Sequence, residues 1–128
     1  MSLHMILAVA AGGALGAVSR FFVTSSVIYV FGNSLPFGTL VVNIIGSFCL
    51  GALVEVFPVA WSASPELRNF FIVGILGSFT TFSAFSFEVV ELWSRGDLFS
   101  AGTYVIGSVF LGILGFICGA TITKSLFA

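Results

Sequence analysis

The residues best suited to chemistry form one run, Gly74-Ile-Leu-Gly-Ser-Phe-Thr-Thr-Phe-Ser-Ala-Phe-Ser-Phe-Glu88. Gly74 and Gly77 precede the hydroxyls of Ser78, Thr80, Thr81 and Ser83 in an otherwise apolar stretch. Glycine lowers helix stability, and paired threonines compete for backbone groups. A break near Gly77–Thr80 would free carbonyl oxygens, which can make a cation site from oxygen ligands alone. The same run also reads as an unbroken helix whose hydroxyls bond to their own backbone, and on physical grounds alone that is the default. Phe82 and Phe85 are three apart and share a helix face. The positive edge of an aromatic ring can face an anion without offering it a full charge. With 16 phenylalanines in the chain, ordinary packing is the competing reading for each one.

Other candidates lie on two stripes. Thr39, Asn43 and Ser47 recur at four-residue spacing on one helix face. An amide in hydrocarbon is costly without a partner. The Asn43 NH2 can donate to an anion or to another helix, and polar residues also hold membrane helices together. Tyr104 and Ser108 form a second stripe, flanked by Gly107 and Gly112, although Tyr104 also suits a membrane-interface belt. Arg20 can draw an anion into a vestibule or snorkel to the interface. Glu88 can gate or pair, or end a helix within reach of water. Glu55 looks interfacial and takes no role. Cys49 and Cys118 read as small apolar residues. No metal-ligand spacing, activated nucleophile or phosphate loop is present, so an enzyme is not expected.

The elements that must position these residues are membrane helices. The chain has 128 residues, 59% of them hydrophobic and 7% charged, against roughly 25% charged in a soluble domain. Its mean hydropathy is +1.22. Two cysteines exclude a dense disulfide scaffold, and a net charge of −1 argues against a nucleic-acid partner. No charged side chain lies before Arg20, between Arg20 and Glu55, between Arg68 and Glu88, or between Asp97 and Lys124. Each gap can hold a span of about 20 residues. Gly32-Asn33-Ser34-Leu35-Pro36 divides the longest with turn chemistry. Residues 1–128 therefore read as one domain of four transmembrane helices, at about 3–31, 38–57, 66–94 and 98–124. Pro58 and Pro65 bracket the loop at 60–64, and Gly96-Asp97 makes the last turn. Tyr29, Trp61 and Trp93 fall at helix ends, where the headgroup layer favours aromatic rings. The pairs Gly12/Gly16 and Gly115/Gly119 let helices approach closely in lipid.

Ala8-Val9-Ala10 mimics a signal-cleavage site, but no Lys or Arg precedes it and the apolar stretch before it is short. Met1–His4 reads equally as native sequence or as a vector remnant ahead of Met5, and His4 takes no role. Lys and Arg divide evenly across the membrane: Arg68 and Lys124 on one side, Arg20 and Arg95 on the other. The positive-inside rule then selects no orientation. A chain inserted both ways can pair with its own inverted copy and build an inverted repeat from two chains. A small residual bias, or the lipids, can instead select one orientation.

The chain resembles the Fluc (CrcB) family of bacterial fluoride channels. The resemblance rests on Gly12-Gly-Ala-Leu-Gly-Ala-Val-Ser-Arg20, Gly38-Thr-Leu-Val-Val-Asn43-Ile-Ile-Gly-Ser and Thr80-Thr-Phe-Ser-Ala-Phe-Ser-Phe-Glu88, and it covers essentially the whole chain. It implies an antiparallel, dual-topology homodimer in the bacterial inner membrane, with the third helix broken at the dimer centre. It implies a structural sodium ion held there by the carbonyls of Gly77 and Thr80 from both chains. It also implies two pores per dimer, lined by the edges of Phe82 and Phe85, with Asn43 donating to fluoride. Thr39, Ser83, Glu88, Tyr104 and Ser108 would form a polar track beside them, and Arg20 would sit near an entrance. Such a channel would confer fluoride resistance by passive export. Ala84, Ser78-Phe79 and Gly112 depart from the family's usual residues, and Gly112 leaves the deep end of the track without a hydroxyl. The runner-up is a small dual-topology, proton-coupled multidrug exporter, which needs a deep carboxylate that the first helix lacks. A third reading, a passive assembly subunit, would turn the polar stripes toward partner helices.

Overall fold

The computed structural model describes residues 1–59 and 62–128; Trp61 and part of the expected 60–64 loop lie outside them. Every regular element among the described residues is helical. In chain order these are α1 (Leu3–Phe31), α2 (Phe37–Val59), α3 (Pro65–Asn69), a π-helix (Phe70–Leu76), α4 (Gly77–Phe79), α5 (Phe82–Ser94) and α6 (Leu98–Phe127). The elements from Pro65 to Ser94 form one span, so four helical stretches are long and apolar enough to cross a membrane.

Local chemistry explains where they start and stop. The Ser2 hydroxyl accepts from Met5 N–H and caps α1. Gly32 ends α1 with φ +75°, and Gly96 turns the chain before α6 with φ +80°. Both conformations favour glycine. Ser64 caps α3 ahead of Pro65, and Asp97 caps α6 by accepting from Ser100 N–H. Bonds from Ser100, the side chain first and then the N–H, hold the Asp97 carboxyl below its usual range.

Three boundaries differ from the sequence reading. Pro58 does not bound the loop; it lies inside the last turn of α2, which continues to Val59. The third span opens at Pro65, and the last helix runs on to Phe127. Tyr29 and Trp93 do lie exposed near helix ends.

Glycines set the packing. The third span lies along α1 up to the end of α4, while α2 runs along α6. A Cβ at Gly12 would meet the Phe70 carbonyl oxygen, and one at Gly16 the Ile75 carbonyl oxygen. Gly74 approaches from the other side, where a Cβ would lie 2.9 Å from Gly12 Cα. Gly51 sits on the Phe116 carbonyl and Gly119 on the Phe48 carbonyl. Both glycine pairs singled out in the sequence are therefore backbone-to-backbone contacts. Beyond its break the third span leaves α1, and α5 packs on α6.

Gly16→Ala is expected to destabilise the protein by about 1–3 kcal/mol, the usual range for overpacking. Thermal unfolding in detergent would show a lower Tm, and an unchanged Tm would contradict the close contact.

Candidate functional site

The helical ladder of the third span ends at Thr80, whose N–H and hydroxyl both donate to Leu76 O, at 3.0 and 2.9 Å. Thr80 (φ −83°, ψ 159°) and Thr81 (φ −155°, ψ 116°) are extended, and α5 begins at Phe82. The break thus falls at the threonine pair, the last part of the Gly77–Thr80 stretch and one residue beyond it.

Asn43 of α2 closes the gap. Thr81 N–H donates to Asn43 Oδ1 at 2.8 Å, and Asn43 Nδ2 donates to Thr81 O at 3.1 Å. The Thr81 hydroxyl accepts from Ala84 N–H at 3.2 Å and caps α5. In a continuous helix Thr81 N–H would bond Gly77 O, and Ala84 N–H would bond Thr80 O. Both donors are diverted, so both carbonyls lose their helical partners. Thr80 O instead meets Arg20 Nη1 at 3.5 Å. Arg20 therefore reaches the break itself.

Two cavities flank this point. One of about 740 Å3 is lined by Arg20, Thr39, Thr81, Ser83 and Glu88, and also by Asn33, Glu91 and Arg95 among others. The other, of about 320 Å3, is lined by Asn43, Gly46, Ser47, Gly77, Thr80, Thr81 and Phe82 among others. Thr81 borders both.

Glu88 is not a helix-end carboxylate left to water. Because the break starts a new helix at Phe82, Glu88 lies well inside α5. Its Oε1 accepts from the Thr39 hydroxyl at 2.6 Å and its Oε2 from the Tyr104 hydroxyl at 2.7 Å. Thr39 is 5% exposed and Tyr104 9%, so Tyr104 is no interfacial belt residue. One carboxylate thereby ties α5 to α2 and α6 through charge-assisted bonds. Beside it runs an aromatic ladder. Phe82 and Phe85 have ring centroids 5.5 Å apart, and Phe85 and Tyr104 5.2 Å apart. Phe82 is 78% exposed on the single chain. Ser108, a turn below Tyr104, has a buried hydroxyl with no hydrogen-bond partner.

The structure thus gathers the sequence candidates into two groups. Arg20, Thr39, Ser83 and Glu88 face the larger cavity, and Asn43, Gly77, Thr80 and Phe82 the smaller. Phe85 and Tyr104 join them by ring contact, while Ser108 lines neither. Sequence reasoning counted Thr81 among the hydroxyls of the run but gave it no site role, although the break and both cavities converge on it. Its signal was the Thr80-Thr81 doublet opposite a mid-membrane amide. Among the described residues no group of three His, Cys, Asp or Glu side chains could hold a metal, so a cation here would depend on carbonyls.

This arrangement, four spans with an internal break bordered by polar and aromatic groups, is that of a multi-pass membrane protein whose irregular backbone lines cavities. The chain belongs to the family described as CrcB-like protein, Camphor Resistance (CrcB), whose model matches residues 7–120. It is 42% identical over 123 residues to a protein of Rhodospirillum centenum named fluoride-specific ion channel FluC, covering 96% of this chain and 98% of that one. A protein of the same name from Nitrobacter winogradskyi is 44% identical over 124 residues, covering 97% and 98%. Another, from Allorhizobium ampelinum, is 43% identical over 122 residues, covering 95% and 98%. These relatives are named as channels, and the family is not one of enzymes. Four spans and this membership make the chain a multi-pass protein of the bacterial inner membrane.

Tyr104→Phe removes one of the two donors to a half-buried carboxylate and is expected to cost about 1–2 kcal/mol. Combined with Thr39→Val, the loss should be non-additive, because both residues serve Glu88. Strict additivity of the Tm changes would separate the two bonds.

Proposed function

We propose that this protein is a fluoride-selective channel giving passive export of fluoride across the inner membrane. The observation that carries the reading is near-full-length similarity, at 42–44% identity, to proteins named fluoride-specific ion channels. The geometry of the break supports it.

The working unit is an antiparallel, dual-topology homodimer with two pores, each formed from both chains. The evenly divided Lys and Arg support dual insertion. The exposed Phe82 ring at the break, together with the small cavity beside it, supports a second chain completing the site. Fluoride is small and strongly hydrated, so a pore must replace its water with donors. The edges of Phe82 and Phe85 supply weak positive charge. One Asn43 N–H is on Thr81 O, which leaves the second for the anion. Thr39, Ser83, Glu88, Tyr104 and Ser108 continue the polar track; the Thr39 and Tyr104 hydroxyl hydrogens are on Glu88, so these two reach fluoride as donors only by leaving that carboxyl. Arg20, beside the break, adds attraction in the larger cavity that it lines. None of these groups except Arg20 offers a full positive charge, so binding stays weak enough for release. Larger halides are excluded by size.

The donor set at the break suits a hard cation. Gly77 O and Thr80 O have lost their helical partners, Thr80 O keeping a long contact to Arg20, and hard cations prefer oxygen ligands. A sodium ion would be held by these carbonyls from both chains, supplying positive charge between the two halves.

The test is efflux from liposomes loaded with fluoride, read by a fluoride electrode after a counter-cation ionophore is added. Fast fluoride release without chloride release in a parallel run is expected. Phe82→Ile should slow release by at least about tenfold, equal to about 1.4 kcal/mol in the barrier. A folded protein that released no fluoride, or released chloride equally fast, would overturn the proposal.

A further inference from the structure

Inside a bilayer each unbonded peptide group carries a heavy cost, so a broken span survives only where something replaces its lost bonds. On the Thr81 side of the break that replacement is a single side chain. Asn43 offers Thr81 an acceptor and a donor together, at 2.8 and 3.1 Å, and so imitates one rung of an antiparallel strand pair. The supporting groups are specific to this contact. Gly46, one turn along α2, lets the helix approach because a Cβ there would strike Thr80 Cγ2. Val42, beside Asn43, is fully buried.

We infer that Asn43 is a positioning residue for the whole conduction path. It holds Thr81 extended, and Thr81 in turn starts α5. The direction of α5 then places Phe82, Ser83 and Glu88 at their cavities. The same bond keeps Thr81 N–H off Gly77 O. This role is separate from donation to an anion. It uses the Oδ1 acceptor and one Nδ2 hydrogen, whereas an anion would take the other hydrogen. It also does not depend on which ion passes.

Asn43→Asp separates the roles. A neutral carboxyl can accept from Thr81 N–H and donate to Thr81 O, as the amide does. A carboxylate cannot donate and faces Thr81 O with negative charge. The neighbouring charged groups are Arg20, on Thr80 O, and Glu88, on Thr39 one turn along α2; the smaller cavity has no charged lining residue. The wild-type protein carried through the same pH range is the control.

The readout is amide hydrogen exchange and the amide proton shift of Thr81, by NMR on the full-length protein with 15N-threonine in detergent or nanodiscs. In wild type the Thr81 amide is expected to be protected although it lies outside the helical ladder. In Asn43→Asp its shift should titrate with the new carboxyl. Its protection, relative to intrinsic exchange, should fall on the order of tenfold once that carboxyl ionises. The threonines of α1 and α6 should be unchanged. An unprotected Thr81 amide in wild type would overturn the inference even if the variant failed to fold. So would a variant in which efflux changes while Thr81 protection and shift stay at wild-type values at every pH. Wild-type protein that shows the protected Thr81 amide yet releases no fluoride, or releases chloride equally fast, would instead sink the fluoride reading and leave this one standing.

Discussion

A peptide group within a bilayer has no water to bond, so the two extended residues at Thr80–Thr81 persist only because other parts of the chain supply their partners. Asn43 bonds both sides of Thr81, the Thr81 hydroxyl takes up Ala84 N–H, and Arg20 approaches Thr80 O. Most of the site follows from that arrangement. Because α5 starts afresh at Phe82, it can leave α1 and lean on α6, and the larger cavity opens in the space between. Because Glu88 then lies inside α5, Thr39 and Tyr104 can clasp its carboxylate and fix the new direction.

Close helix packing makes the break possible. In lipid there is little hydrophobic drive between helices, so backbone approach through small residues does much of the holding. Gly12, Gly16 and Gly74 bring α1 against the π-helix, and Gly51 and Gly119 bring α2 against α6. Each of these contacts places a carbonyl where a side chain would otherwise stand. The two rigid pairs leave α5 as the element whose path is set by polar bonds.

The spans were legible because charge punctuates the chain and Gly32, Pro65 and Gly96-Asp97 mark its turns. The glycine contacts were legible as spaced pairs. The break was legible only as an alternative, through Gly77 and the threonine doublet; on physical grounds the unbroken helix was the default, and only the family resemblance implied the interruption. Thr80 N–H still finds Leu76 O, and it is the amide of Asn43, 38 residues earlier, that captures Thr81. The π-helix over Phe70–Leu76 left no local signal, since it lies against α1 glycines more than 50 residues away in sequence. Glu88 and Tyr104 each kept two readings in the sequence. Both are equidistant from the turn at Gly96, so the antiparallel pair α5 and α6 brings them within hydrogen-bond distance.

The central claim is an interrupted third span. Solid-state NMR backbone shifts at Thr80 and Thr81, recorded in lipid bilayers, would test it most directly. Extended shifts at both residues, between helical shifts at Phe79 and Ser83, are predicted. Helical shifts running unbroken from Gly77 to Glu88 would contradict the account.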